Sequence, residues 1–312
     1  MQMHYTRRGS GKPLLLIHGL GGSGRSWDTI TDALATHREV IAVDLPGFGE
    51  TPPLTGEVSI RTLSDVVTAF IQTHNLEGVD VVGSSMGARL VLELARRGGG
   101  IVGAVISLDP GGFWRGWERH AFYLSIYLSI RLVRLLQPIM PLITGSSVGR
   151  TLLFPQFSAH PWTLSPKVTL EEMRNFAASP SFDELLYNLA YGEAQQGSPP
   201  NSITAPLIIG WGNQDWVCFP QQAQRARAMF PDAQLHWFEN CGHFPHWDSP
   251  PEATQVVLEG TMGKSVANSL LEVTNRSERK PNIAAAVLVG TAIAIGLLWA
   301  TNKRTSTRPV SG

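Results

Sequence analysis

Excess charge of either sign is missing from this chain of 312 residues, in which 25 Lys and Arg are matched by 25 Asp and Glu. A balanced chain has no electrostatic footprint for nucleic acid and no general attraction to polyanions. Cysteine is nearly missing too. Cys218 and Cys241 are the only two, which excludes a disulfide scaffold, and no Cys/His set has the spacing of a structural zinc site. No metal or cofactor is expected. The segment Met1 to Arg8 carries basic residues with no apolar run behind them, so no secretory leader is expected. What the chain does have is 43% hydrophobic and 16% charged residues. That is enough for one large α/β domain of about 250 to 300 residues, or for two small ones.

One long uncharged run stands apart at the C-terminus. Ile283 to Ala300 is flanked by Arg276, Arg279 and Lys280 on one side and by Lys303, Arg304 and Arg308 on the other. Its length is at the lower limit for crossing about 30 Å of hydrocarbon. The expected organisation is a linker at 261–282, a single membrane span at 283–300 and a basic tail at 301–312, with the folded domain on the cytoplasmic side. A packed or surface-lying helix in a soluble cytoplasmic protein is the alternative. Basic residues balance across the run, so the positive-inside rule assigns no orientation.

Upstream, short apolar runs alternate with helical patterns. Leu14 to Ile17, Val40 to Val43, Val79 to Val82, Val105 to Leu108, Leu207 to Gly210 and a run ending near Phe238 have the composition of strands buried on both faces. Helical periodicity covers Trp27 to Leu34, Ile60 to Thr73, Met86 to Arg97, Gln221 to Met229 and Glu252 to Leu258. Alternation of this kind predicts a mostly parallel sheet with helices on both faces. It breaks between Gly111 and Thr204. There Trp114, Trp117, Phe122, Tyr123, Ile126, Tyr127, Ile130, Leu132 and Leu135 follow helical spacing, a Pro-punctuated stretch spans Leu136 to Pro141, and a further helix starts at Leu170. Residues 111–203 are therefore expected to form a helical cap inserted above a core built from 1–110 and 204–260.

The chemistry concentrates in Gly83-Ser84-Ser85-Met86-Gly87, between a β-branched run and a helical one. A strand that turns at once into a helix strains its turn residue and pushes that side chain out above the sheet, and small residues on either side prevent a collision. Ser85 is that residue, unless the five form an ordinary Gly/Ser loop. A serine hydroxyl needs a base within hydrogen-bond reach and a carboxylate to orient the base. Asp215, after the Leu207 run, and His243, after the run ending near Phe238, supply both in the order Ser, Asp, His.

Four separated motifs, His18-Gly19-Leu20-Gly21-Gly22, Asp44-Leu45-Pro46-Gly47-Phe48-Gly49, the turn at Ser85, and the loops holding Asp215 and His243, resemble the α/β-hydrolase superfamily over roughly Tyr5 to Gly260. The resemblance implies the backbone amides of Leu20 and Met86 as an oxyanion hole, supported by Gly19 and by His18, which holds the loop through hydrogen bonds. It also leaves Asp109 as an alternative acid, because some members place the acid after that strand. His246 is a less fitting base than His243, and Asp44 is a turn former. Cys218 and Cys241 flank the two loops and are expected as separate thiols, with a disulfide as the alternative.

The expected activity is a serine esterase of lipase type acting on a hydrophobic small-molecule ester. Ser85 argues against the epoxide hydrolases and haloalkane dehalogenases of the same fold, which carry Asp there. Acyl transfer and thioester, amide or carbon–carbon bond hydrolysis use the same serine machinery and stay open. A low-turnover membrane-anchored accessory protein is the alternative from another class.

Overall fold

A computed structural model describes residues 2–266. Its seven strands, β1 Tyr5–Arg8, β2 Pro13–Ile17, β3 Glu39–Val43, β4 Val79–Ser84, β5 Val102–Leu108, β6 Leu207–Gly212 and β7 Gln234–Phe238, form one sheet in the order β1-β3-β2-β4-β5-β6-β7. All neighbouring strands run parallel except β1, which pairs antiparallel with β3 from Tyr5↔Val43 to Arg8↔Val40. The charged, largely exposed β1 had no apolar run to announce it; the edge of the sheet supplies its partners instead.

Side chains alternate between the two faces. Leu15, Ile17, Val81, Val105 and Ile209 face one core, covered by α2 Ile60–Thr73, α3 Met86–Arg97 and α9 Gln221–Met229. Leu14, Leu16, Val82, Ile106 and Ile208 face the other, covered by α1 Asp28–Ala35 and α11 Pro250–Thr261. Both faces are buried, which explains why the strands read as unbroken apolar runs. From β2 the chain lays β3 on one side and β4 on the other, so the strand order reverses between β2 and β4. The crevice at their carboxyl ends is where an open α/β sheet accepts ligands.

Between β5 and β6 the chain leaves the sheet and builds α4 Glu118–Leu136, α5 Met140–Gly145, α6 Ser147–Leu153, α7 Pro166–Ala178 and α8 Phe182–Tyr191. Pro138 ends the regular run of α4, as expected for a residue lacking an N–H. Helix α7 starts four residues ahead of the expected Leu170, because Ser165 caps Val168 N and Pro166 occupies the first turn, where its missing N–H costs nothing. Two buried or half-buried arginines clamp this insertion to the core. Arg89 of α3 donates to Leu189 O, Glu193 O and Gln195 Oε1, and Arg225 of α9 pairs with Glu118 and donates to Phe113 O. The short α10 Pro245–Asp248 precedes α11.

The expected linker does not start at 261. Thr261 is the last residue of α11, with its hydroxyl accepting from Arg38, and Val266 O lies 2.6 Å from His236 Nδ1 on β7. Residues 267–312, and with them the expected span at 283–300 and the basic tail, lie outside the described residues.

At the amino end of the sheet a buried ion pair joins several elements. Arg38 Nη2 donates to Asp80 Oδ2 at 2.6 Å, Arg38 also donates to the carbonyls of Lys12 and Pro13, and Asp80 Oδ1 accepts from Ala104 N. Removing one partner strands a buried charge. Asp80→Ala is expected to lower the unfolding free energy by about 3 to 5 kcal/mol in a denaturant titration.

Candidate active site

Strand β4 delivers Ser85 through a very tight turn. A Cβ on Gly83 would overlap the backbone of Gly87 and Ala88, and a Cβ on Gly87 would overlap the carbonyl oxygens of Ile17 and His18. Only glycine lets helix, β4 and β2 lie this close. Ser85 takes φ 55°, ψ −110°, a strained conformation for a residue with a Cβ, and its amide donates to Leu108 O at 2.9 Å.

The structure brings Ser85, His243 and Asp215 together. His243 Nε2 lies 2.8 Å from Ser85 Oγ, and His243 Nδ1 lies 2.8 Å from Asp215 Oδ2. Both His243 and Asp215 are buried. The other oxygen of Asp215 accepts from the amides of Val217 and Cys218 at 2.7 and 3.0 Å, which aims the free oxygen at the imidazole. Asp109 does not reach His243. Its Oδ1 accepts from Gly212 N at 2.8 Å, and burial, with the neighbouring Asp215 charge adding to it, pushes its carboxyl well above the usual range. Of the two acids expected from the sequence, the geometry joins Asp215 to the histidine.

His246 sits away from Ser85, its ring 4.6 Å from that of Trp27, and burial followed by the charge of His243 lowers its pKa to about 3. His18 is fixed as the neutral tautomer. Leu45 N can only donate, so His18 Nε2 must accept that bond at 3.0 Å, leaving Nδ1–H to donate to Gly19 O at 2.7 Å. Burial lowers its pKa in keeping with this. Asp44 ties two loops, accepting from Gly24 N and Glu50 N. Both cysteines are buried and free, and burial pushes both thiols up. The ligand atoms of Asp215, Cys218 and His243 lie within 4.8 Å of one another, a spacing a metal could share, but His243 and Asp215 are already bound to each other.

Ser85 opens onto a pocket shared with Leu20, Met86, Trp114, Phe122 and Phe157. The apolar lining from the insertion follows helical spacing in the sequence, but which residues face Ser85 could not be read there. Two further residues escaped sequence reading. Asp248 accepts from Gly242 N and Ala159 N, at 2.7 and 2.8 Å, and from the Ser158 hydroxyl, while His243 N donates to Phe157 O at 2.9 Å. The insertion thus braces the backbone that carries His243. Glu172 of α7 is buried beside a second, smaller cavity lined also by Ser26, Trp27 and His246. Burial pushes its carboxyl up to about 7, against a hydrogen bond from Ser26. No motif marks either residue.

A carboxyl whose pKa is raised by folding holds its proton more tightly in the folded chain than in the unfolded one. Stability therefore falls as pH rises from the ordinary glutamate value of 4.5 to about 7, and levels off above. The expected loss across that window is about 3 kcal/mol. Glu172→Gln should flatten the slope in denaturant titrations at stepped pH.

Residues 14–254 match the model of the alpha/beta hydrolase family. An uncharacterised protein of Mycobacterium tuberculosis is 26% identical over 265 residues, covering 80% of this chain and 75% of that protein. A 2-hydroxy-6-oxononadienedioate/2-hydroxy-6-oxononatrienedioate hydrolase of Dechloromonas aromatica is 23% identical over 273 residues, covering 83% and 90%. The solved structure of a thermophilic esterase from Thermogutta terrifontis is similar with a TM-score of 0.66 at 18% identity, over 84% of this chain and 93% of that one. The last likeness bears on the fold alone.

Proposed function

The chain belongs to the alpha/beta hydrolase family, and from that premise we propose that it is a serine hydrolase cleaving a carboxylic ester of a hydrophobic small molecule. One observation carries the reading: an unbroken hydrogen-bonded line from Ser85 Oγ through His243 to Asp215, opening on an apolar cavity.

In the proposed mechanism Ser85 Oγ attacks the ester carbonyl as its proton passes to His243 Nε2. Asp215 holds the Nδ1 proton and stabilises the imidazolium that forms. The amides of Leu20 and Met86 face the oxyanion; each such donor is worth about 3 kcal/mol in the transition state. The imidazolium then protonates the departing alkoxide and leaves an acyl ester on Ser85. Water, deprotonated by the same nitrogen, attacks that ester, and the proton returns to Ser85 as the acid departs. The helical insertion acts as a cap. Its aromatic underside, with Phe122, Phe157 and Phe176, suits an acyl chain better than a polar group.

A fluorophosphonate probe is expected to label the folded protein at Ser85 and to leave Ser85→Ala unlabelled; an unlabelled wild-type chain overturns the nucleophile. Hydrolysis of p-nitrophenyl esters is expected to rise from short to medium acyl chains, and a fall along that series overturns the apolar acyl site.

The two acids are separated by kinetics. Asp215→Asn should lower kcat by about 10⁴-fold, whereas Asp109→Asn, at φ 50° in a region asparagine tolerates, should change it little. The reverse outcome passes the orienting role to Asp109.

A further inference from the structure

Helix α4 carries large apolar residues on two sides, yet only one side is covered. Phe122, Ile126, Ile130 and Val133 are buried against the protein, while Leu124, Leu128 and Leu135 are 55%, 54% and 67% exposed. In a helix of 3.6 residues per turn those three leucines fall within an arc of about 40°, on a stripe about 16 Å long. The apolar surface continues past Pro138. Leu142 on α5 is 76% exposed, and Val148 and Leu152 stand one turn apart on α6, which packs against α5. A contiguous exposed apolar patch marks an interaction surface. The stretch Glu118–Gly145 is long and apolar enough, by length and composition, to cross a membrane. Its buried inner face, packed on α7 and α8, makes it a helix that lies along a surface instead.

Charge selects the partner. Residues 119–170 contain no Asp or Glu. Arg134 is taken by Asp183 at 2.7 Å, but Arg131, exposed between Leu128 and Leu135 on the same stripe, has no carboxylate partner among the described residues. Its guanidinium lies 4.9 Å over the Tyr127 ring. A cation rising from an aliphatic stripe matches phosphates above an acyl boundary. A second copy of the chain matches it less well, because the same face of a partner, within residues 119–170, offers Arg131 no Asp or Glu.

The geometry points to the outer face of α4, α5 and α6 as a docking surface for an anionic lipid bilayer, with the leucines in the acyl boundary and Arg131 among the lipid phosphates. Phe122 and Ile126 on the inner face of the same helix line the cavity at Ser85, so the docked surface and the site lie on opposite sides of one helix. The surface assignment does not depend on the catalytic reading.

The test uses the full chain carrying Leu142→Cys and a polarity-sensitive fluorophore on that thiol; the native Cys218 and Cys241 are buried and escape labelling. A Glu77→Cys label, exposed ahead of β4 at the far end of the sheet, is the control. Vesicles of phosphatidylcholine with phosphatidylglycerol should shift the 142 emission to the blue and leave the 77 label unchanged, with a smaller shift on phosphatidylcholine alone. Replacing Leu124 and Leu128 together by Ser should weaken vesicle binding, read from the 142 label, by about tenfold or more. An unshifted 142 label on anionic vesicles overturns the proposal, even when the protein floats with them through another segment. So does a shift without vesicles that grows with protein concentration, which assigns the face to a second copy.

Discussion

Helix α3 springs from strand β4 with so little room that its second residue, Gly87, rests on the carbonyl oxygens of Ile17 and His18, and Gly83 faces Gly87 across the turn. This contact sets the positions of several groups together. It holds Ser85 at φ 55°, a conformation that costs of order 1 to 3 kcal/mol and persists only because strand and helix on either side over-determine it. It places the Met86 amide at the start of a helix, where the dipole favours negative charge. It also brings the loop after β2 against the turn, with Gly19 so near that a Cβ there would lie 3.2 Å from Ser85 Cβ. His18, locked as a neutral tautomer between Gly19 O and Leu45 N, keeps that loop from relaxing away.

Two carboxyls share the neighbouring edge of the sheet, and local donors divide their roles. Asp215 receives two backbone amides on one oxygen and the imidazole on the other. Asp109 receives a single amide, from Gly212, and burial, followed by its negative neighbour, pushes its carboxyl well above the usual range. Hydrogen-bond supply, more than position along the chain, separates these two residues.

The insertion does more than roof the cavity. Through Asp248 and Phe157 O it braces the loop bearing His243, and through Arg89 and Arg225 it is anchored at both ends to core helices. Apolar residues on its inner face and leucines on its outer face come from the same helix, which explains why periodicity along α4 is weak: large apolar residues stand on two sides, for two different reasons.

The sequence by itself determined the alternation of strands and helices, the turn at Ser85, and the order Ser, Asp, His, because these depend on short-range rules: side-chain periodicity, glycine at tight approaches, and loops after buried strands. The helices α2, α3 and α9 were legible to the residue for that reason. The edge strand β1 was not, since its charged residues carry no apolar period and its partners come from β3. Nor was the pairing of Asp248 with the insertion or the burial of Glu172. Each of these depends on which groups distant in the chain meet in a space closed to water. Only the tertiary structure decides that, because hydrogen-bond supply and desolvation belong to the packed site and not to any one segment.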